Sequence, residues 1–325
     1  MNRVSGGLSA GRHLFLWLGA VLAMSLAASC GRGTGDEQDE AERTFAVTIH
    51  PLQAILEEMT GDRAAVVRIL PPNASPHTHD PRPSDVRRAE RALALFYVDP
   101  LLDGWAARLR RDRLVAVLPM IDPEVLLEEA DHHHHHGDED HEHHHHHHDH
   151  EFREGITLPD PHFWTDPMVV RSVLPSLLEQ LVRYDPEGES EYRANTEAFA
   201  AGLEELDSEL AEILDPVRGE KVVLFHPSFR YMLDRYGLEY AGVIEPFPGR
   251  EATPRYLQEL INRFEDEGIK AIFSEPQLPQ RAAEVVAEGT ARPVYLLDPV
   301  GGVPGRDTYV ELLRYNAQVL RKALE

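Results

Sequence analysis

The sequence predicts an α/β protein built from two lobes, each with a parallel sheet of about four strands, joined by a long connecting helix. Eight short apolar runs alternate with stretches of helical periodicity, which is typical of parallel sheets covered by helices. The runs fall into two groups, in residues 44–118 and 221–297, and two long helical patterns separate them. The 325 residues are enough for about two domains of ordinary size.

The predicted strands are runs rich in Val, Leu, Ile, Ala and Phe. The first group spans residues 44–49, 64–70, 93–98 and 114–118, and the second spans residues 221–226, 240–244, 269–273 and 293–297. Stretches such as "PLQAILEEMTG" and "RPSDVRRAERA" lie between them and carry apolar residues at helical spacing. Proline stands near the first turn of both stretches, where its fixed φ suits the start of a helix. The stretch "DTYVELLRYNAQVLRKAL" predicts a final helix.

Two long helices are predicted between the lobes, over residues 166–185 and 190–214. We assign the first as the connecting helix, and Pro175 inside it predicts a kink. A long helix between two small lobes predicts a stiff connection that limits hinge motion. The predicted divisions are a signal peptide over 1–29, a tether over 30–43, an N-terminal lobe over 44–165, the connecting helix over 166–185 and a C-terminal lobe over 186–325.

The N-terminus has the features of a targeting segment. Arg3 and Arg12 accompany an apolar stretch too short for a convincing membrane span, and Cys30 follows in "LAASC". This arrangement resembles a bacterial lipoprotein signal, which implies cleavage before Cys30 and lipidation of its sulfur. An ordinary cleaved secretory signal is the alternative. Cys30 is the only cysteine, which excludes an intrachain disulfide and a zinc site of several thiolates.

Charge limits the possible partners. The formal net charge is −24, which argues against nucleic acid or an anionic membrane surface as a partner. The polar residues 30–43 indicate a flexible tether between a lipid anchor and the fold. We therefore expect a soluble monomer, held at a bacterial membrane by its lipid alone and lying in the periplasm or at the cell surface.

The run "DHHHHHGDEDHEHHHHHHDH" over residues 131–150 contains thirteen of the nineteen histidines and no apolar residue. It cannot contribute to a core, so the sequence predicts a surface loop of the first lobe. Ordering a loop around metal costs about 1–2 kcal/mol per residue in backbone entropy, so its metal binding should be weak and exchangeable. The accessory ligands would be His132, His133, His134, His135, His136, His141, His143, His144, His145, His146, His147, His148 and His150.

Three polar residues follow strands of the second lobe. His226 ends the run over 221–226, Glu275 follows the run over 269–273, and Asp298 follows the run over 293–297. In parallel α/β sheets, ligands bind beyond the carboxyl ends of the strands, so all three stand where a site is expected. The alternatives are a buried, hydrogen-bonded histidine for His226 and a helix cap or an ion pair for each carboxylate.

Four further histidines have contexts of their own. His77 and His79 lie in the proline-rich "PPNASPHTHDPRP", whose restricted backbone would hold an imidazole at low entropic cost. His162 lies in "LPDPHFWTDP", beside two aromatic residues that would exclude water from a site. His50 follows the first strand, and a capping or surface role is favoured for it over an approach to the cleft.

Five motifs, "ASPHTHDPRPSDV", "DPHFWTDP", "FHPSFRYMLDRYGL", "FSEPQ" and "LLDPVGG", occur in this order. Together they resemble the metal-binding solute-binding proteins of bacterial ABC importers, in the zinc and manganese cluster known as cluster A-I. The resemblance covers nearly all of the chain from residue 44. It implies two four-stranded α/β lobes bridged by a long helix, with a metal ion in the cleft between them. The acidic, histidine-rich run is similar to that of the zinc branch.

The resemblance also implies a set of ligands. The family's metal ligands correspond to His77, His162, His226 and, where the protein supplies the fourth, Asp298. In some zinc members water or a neighbouring glutamate takes the fourth place, so Glu275 is a possible additional ligand, as is His79. Three imidazoles and one carboxylate suit tetrahedral Zn²⁺, whereas Mn²⁺ prefers more oxygen ligands. Binding needs neutral imidazoles, so the affinity is expected to fall as the pH drops through about 6.5.

The expected function is capture of Zn²⁺ outside the cytoplasmic membrane and its delivery to the membrane subunits of an ABC permease, with the histidine-rich loop as an accessory collector or sensor. No enzymatic activity is expected, since no HExxH-type helix is present and four protein ligands would close the site. If the protein were an enzyme, it would be a zinc hydrolase with Glu275 as general base. The sequence also leaves open manganese or another divalent metal as the cargo, and a role as a lipid-anchored metal buffer or adhesin.

Overall fold

The computed structural model describes residues 43–128, 158–245 and 252–325. The predicted signal peptide, Cys30, nearly all of the tether and the whole histidine-rich run lie outside the described residues. None of the helices within those three ranges is long and apolar enough to cross a membrane.

The first sheet contains four parallel strands, as the sequence predicts. They are β1 (Thr44–Val47), β2 (Ala65–Arg68), β3 (Leu95–Tyr97) and β4 (Leu114–Ala116), in the spatial order β2-β1-β3-β4. Each strand is shorter than its apolar run. The ends of a run still bury apolar side chains after the ladder stops, as at Ile69 and Leu70 beyond β2, which are almost fully buried. An apolar run therefore records burial and overestimates strand length.

The second sheet repeats this topology. It contains β5 (Lys221–Leu224), β6 (Glu239–Val243), β7 (Ile272–Ser274) and β8 (Val294–Leu296), all parallel and in the order β6-β5-β7-β8. In both sheets the strand order reverses beside the first strand, next to the third. Such a switch point leaves a crevice at the carboxyl ends of the two adjacent strands, where ligands bind in α/β proteins. In the second lobe the crevice lies beyond β5 and β7.

Ten α-helices surround the two sheets in the described part of the chain. They are α1 (His50–Thr60), α2 (Pro83–Arg91), α3 (Pro100–Asp103), α4 (Ala106–Leu109), α5 (Pro167–Tyr184), α6 (Glu189–Leu214), α7 (Arg230–Tyr236), α8 (Pro254–Asp266), α9 (Arg281–Thr290) and α10 (Tyr309–Leu324).

The two long helices between the sheets are present where the sequence places them. Helix α5 keeps Pro175 within its 18 residues, and Asp166 caps its N-terminus by accepting from the backbone N–H groups of Met168 and Val169. Helix α6 has 26 residues and packs against α1 of the first lobe, α10 of the second lobe and α5. It is therefore the helix that spans both lobes.

The spanning helix is held by an apolar stripe. Leu203, Leu206 and Leu210 recur at helical spacing on α6 and are at most 2% exposed. They belong to one continuous core that also contains Phe45 on β1 and Val222 on β5, so both sheets share it. Burying each leucine contributes about 1.5–3 kcal/mol. This shared core fixes the lobes to a common helix and leaves the crevice at the strand ends as the place for a ligand.

Candidate metal centre

Three histidines converge between the lobes: His77 from the proline-rich connection after β2, His162 from the segment before α5 and His226 two residues after β5. One nitrogen of each imidazole lies within 4.8 Å of the corresponding nitrogen of the other two. The ring centroids are separated by 4.7–5.6 Å. All three Nε2 atoms are buried and have no hydrogen-bond partner. Buried polar atoms are normally paired, so three unpaired imidazole nitrogens close together indicate a place for a cation.

Asp160 fixes the orientation of His162. Its Oδ1 lies 2.8 Å from Nδ1 of His162 and accepts from the backbone N–H of the same residue at 3.0 Å. With Nδ1 donating to this carboxylate, Nε2 is the unprotonated nitrogen and faces the other imidazoles. Trp164 packs edge-on against the ring, with centroids 5.4 Å apart, and its indole N–H donates to the carbonyl of Pro299 at 2.7 Å.

Glu275 has the same role for His226. Its Oε1 lies 3.1 Å from Nδ1 of His226 and accepts from the hydroxyl of Ser228 at 2.7 Å. His226 follows β5 and Glu275 follows β7, which are neighbours in the sheet, so their contact crosses the switch point. Glu275 thereby orients the imidazole of His226, whose Nε2 faces the cleft as that of His162 does.

His77 is held through its backbone. The preceding residue, Pro76, accepts at its carbonyl a hydrogen bond of 2.8 Å from the indole N–H of Trp105. As a residue His77 is partly exposed, but its Nε2 atom is buried among the other two imidazoles.

The environment of His77 and His162 favours their neutral forms. Burial, followed by the charges that His226 and His162 would carry, holds the pKa of His77 well below its usual value. Burial also lowers the pKa of His162, against the opposing effect of Asp160. A neutral imidazole is the form that binds a metal ion.

The space among the three rings is small. The cavity volume is about 10 Å³, and Leu278, Pro299 and Val300 contribute to its walls. About 10–15 Å³ is what one water-sized sphere needs. The site can therefore accept a single ion or a water molecule, and an organic substrate does not fit.

Asp298, predicted as the fourth ligand, is not in the group of three. Its Oδ1 accepts from Gln277 Nε2 at 2.7 Å and from the backbone N–H groups of Val300 and Gly301, and its Oδ2 accepts from Arg306 Nη1 at 2.8 Å. The ion pair that the sequence left open for this carboxylate is the arrangement that the structure contains.

Glu275, His79 and His50 also lie outside this group. Glu275 orients His226, as described above. His79 packs edge-on against Trp105, and burial lowers its pKa. His50 is only 5% exposed, so the expected surface role is wrong for it. Burial and the charge of Arg68 lower its pKa, because the first strand ends inside the core and carries His50 with it.

Asp160 is the contributor that sequence reasoning missed. It stands two residues before His162 in "DPHFWTDP", and a short carboxylate so close to a candidate ligand was a signal that could have identified it. Arg306 was missed for a different reason, because its contact with Asp298 depends on the turn between them.

Two parallel-sheet lobes that share a spanning helix and enclose three converging histidines, with room among them for a single ion, define a metal-binding solute-binding protein of the ABC importer class. The family model for the periplasmic component A of the zinc-uptake complex, ZnuA, matches residues 46–323. The chain belongs to this family.

Known relatives support the assignment over most of the chain. The high-affinity zinc uptake system protein ZnuA of Paracoccus denitrificans is 31% identical over 318 residues, covering 92% of this chain and 98% of the relative. The manganese-binding lipoprotein MntA of Halalkalibacterium halodurans is 27% identical over 312 residues, covering 92% and 94%. The solved structure of a zinc-bound deletion mutant of ZnuA matches with a TM-score of 0.71 and 25% identity, covering 87% and 98%.

Proposed function

We propose that this protein captures Zn²⁺ outside the cytoplasmic membrane and delivers it to the membrane subunits of an ABC permease. The observation that carries the proposal is the convergence of three buried, unpaired Nε2 atoms from His77, His162 and His226. Zinc–nitrogen bonds of about 2.0–2.1 Å place tetrahedral ligands about 3.4 Å apart, so binding requires each pair of nitrogens to close by at most about 1.4 Å. The three imidazoles are three of the four ligands that tetrahedral zinc takes.

The donor set favours zinc over manganese. Neutral imidazoles suit Zn²⁺, whereas Mn²⁺ prefers carboxylate, carbonyl and water oxygens. One oxygen of each of the two nearby carboxylates contacts an imidazole: Oδ1 of Asp160 lies against Nδ1 of His162, and Oε1 of Glu275 lies against Nδ1 of His226. Supplying either oxygen to a metal would break the contact that orients an imidazole. The name of the Paracoccus relative agrees with zinc as the cargo.

Manganese is the second candidate, because one relative of nearly the same length is named as a manganese-binding lipoprotein. The name of that relative also agrees with a lipid anchor, which we place at Cys30. Residues 131–150 act as an accessory collector that raises the local concentration of zinc. Their six acidic residues attract cations, and their imidazoles exchange them.

Zinc titration of protein lacking residues 132–150 tests the proposal. Competition with a chromophoric chelator should show one tightly bound Zn²⁺ per molecule of this shortened protein. The intact chain should bind the same tight Zn²⁺ and several further ions weakly. His162→Ala should weaken the tight site about 10²–10³-fold, because about 10–16 kcal/mol of zinc binding is shared among four ligands. His79→Ala is the matched control, a neighbouring histidine outside the group, and should keep the tight site.

The same titration distinguishes the candidate functions. Loss of the tight equivalent on deletion of the loop would disprove the assignment of the site. Manganese binding tighter than zinc in competition would favour the second candidate. Turnover of ester, peptide or phosphate substrates by the zinc-loaded protein would favour a hydrolase. Normal growth of a strain without this protein in zinc-poor medium would favour a metal buffer or adhesin.

A further inference from the structure

Asp160 joins His162 to groups of the second lobe. The residue is 2% exposed, and its Oδ1 receives both the backbone N–H and the Nδ1 of His162. Its Oδ2 lies 3.4 Å from Nη1 of Arg230. Its backbone carbonyl accepts from the hydroxyl of Tyr231 at 2.8 Å. One aspartate therefore contacts a candidate ligand and two side chains that follow His226 in the chain.

Arg230 and Tyr231 are the first two residues of α7, four and five positions after His226. The guanidinium of Arg230 lies over the ring of Tyr240 on β6, 5.7 Å from its centroid, which holds it against the second sheet. It also donates to the carbonyl of Glu128. One guanidinium thus connects the second sheet to Asp160 and to the carbonyl of Glu128.

Tyr231 closes a small network of hydrogen bonds. Its hydroxyl accepts from the backbone N–H of Leu127 at 3.1 Å while donating to the carbonyl of Asp160. The backbone N–H of Asp160 donates to the carbonyl of Leu127 at 2.7 Å. The hydroxyl is buried, so both of its bonds replace bonds to water. The chain at Asp160 is consequently fixed to the start of α7.

We propose that Asp160 and Arg230 form an interlobe joint that positions His162 against His226 before the metal arrives. This inference rests on the proposed function, since it concerns the same site. Asp160 is a positioning residue: its Oδ1 selects the imidazole tautomer with Nδ1 protonated, and its Oδ2 fixes the carboxylate to the second lobe. A preorganised pair of ligands loses less conformational freedom on binding and releases the metal more slowly.

The roles of Oδ1 and Oδ2 of Asp160 can be distinguished by substitution. In Asp160→Asn the amide oxygen takes the place of Oδ1, because two N–H groups of His162 point there. The amide NH₂ then faces Arg230, and two donors oppose each other. Asp160→Asn therefore keeps the tautomer and loses the joint, whereas Asp160→Ala loses both. Arg230→Gln removes the joint from the other side.

The experiment compares these variants in the intact chain. Nitrogen-15 shifts of the metal-free protein report the tautomer of His162, whose signal is assigned by its loss in His162→Gln. Chelator competition reports the affinity and dissociation rate of the tightest Zn²⁺ equivalent, and the visible spectrum with Co²⁺ reports coordination geometry. Arg235→Gln is the matched control. It lies on the same helix, where Arg235 pairs with Asp207 at 2.5 Å and lies 3.4 Å from the helix cap Asp166, without contacting Asp160.

We expect Asp160→Ala to mix the two tautomers, alter the Co²⁺ spectrum and weaken zinc binding about 10–100-fold. Asp160→Asn and Arg230→Gln should keep the tautomer, weaken binding by up to about tenfold and speed dissociation. The double variant should bind zinc no more weakly than the weaker of the two single variants, since both break the contact between Asp160 and Arg230. Arg235→Gln should match the unsubstituted protein in every readout, whatever its effect on unfolding.

The joint and the proposed function fail in different ways. An unchanged tautomer and zinc affinity in Asp160→Ala, with tight zinc binding by the unsubstituted protein, would overturn the joint and leave the function standing. Additive losses from Asp160→Asn and Arg230→Gln would also overturn it. Absence of a tight zinc equivalent in the unsubstituted protein would overturn the function, while the tautomer of the metal-free protein would still decide whether Asp160 positions His162.

Discussion

Replacing Asp298 with asparagine distinguishes a metal ligand from a structural carboxylate. Asp298 is 1% exposed at its side chain and pairs with Arg306, which is 19% exposed. In Asp298→Asn the amide oxygen retains the bonds from Gln277 and the backbone, but the amide NH₂ faces the guanidinium. Removing one partner of a fully buried pair costs about 3–5 kcal/mol. Since Arg306 keeps some access to water, we expect a loss of about 2–4 kcal/mol.

Two measurements are needed, both on protein lacking residues 132–150. Urea unfolding in the presence of a chelator gives the stability of the metal-free state, because bound zinc would add its own stabilisation. Chelator competition gives zinc affinity for the folded variant. We expect the unfolding midpoint to fall and the zinc affinity to change by less than about threefold. Asp307→Asn, an exposed neighbour, is the matched control and should change stability by at most about 0.5 kcal/mol.

The opposite pattern would refute this reasoning. If Asp298 were a zinc ligand, Asp298→Asn would weaken zinc binding by about 10²-fold or more, as for an imidazole. An unchanged unfolding midpoint with such a loss would mean that Arg306 releases the carboxylate to the metal. The fourth ligand would then be the one that the family resemblance implies.

Further predictions concern the site and the core. The pKa values of His77 and His162 are lowered in the metal-free protein, so protons compete with zinc only at lower pH. The zinc affinity should therefore stay nearly constant down to about pH 6.5 and fall below it. A fall in affinity centred above pH 6.5 in chelator competition would contradict this. The same shifts make the folded state bind fewer protons than the unfolded state, so the stability of the metal-free protein should decrease as the pH falls from 6.5 towards the lowered values, as urea unfolding at several pH values would show. Glu275→Ala should weaken zinc binding about 10–100-fold. Glu275→Gln keeps an acceptor for His226 and should weaken it less than about tenfold. Equal losses of zinc affinity in calorimetry would show that the charge of Glu275, and not its acceptor oxygen, matters. Leu203→Ala in α6 should lower the free energy of unfolding by about 2–5 kcal/mol and leave zinc affinity unchanged, and a change in affinity would mean that the spanning helix sets the geometry of the site.

The architecture could be predicted because its signals are local. Each strand is a run of apolar residues with a proline or a polar turn beside it, and all eight predicted strands are present in the two sheets. The choice of residues 166–185 as the connecting helix could not be made from local signals. Helix α6 is the one that packs against both α1 and α10, and which of two amphipathic helices faces both lobes depends on tertiary packing.

The site was predictable only in part. His77, His162 and His226 could be singled out because each stands at a strand end or in a proline-rich segment. The partners of Asp298 could not be predicted. Its contact with Arg306 spans eight positions through a turn with Gly301 at positive φ, and the choice between ligand and ion pair depends on that turn.

The placement of the carboxylates explains how a strongly acidic protein can hold a nitrogen-rich site. Asp160 and Glu275 bring negative charge within one imidazole of the cleft, so they attract a divalent cation and make the imidazoles better donors. Oδ1 of Asp160 and Oε1 of Glu275 are each engaged by the Nδ1 of a histidine, which favours a place for both residues outside the ligand set. A hard cation that needs oxygen donors would have to turn an imidazole away to reach either of these two oxygens, and the proposed joint at Asp160 would resist that movement. Selectivity in such a site arises from hydrogen bonds that keep the oxygens in the outer layer.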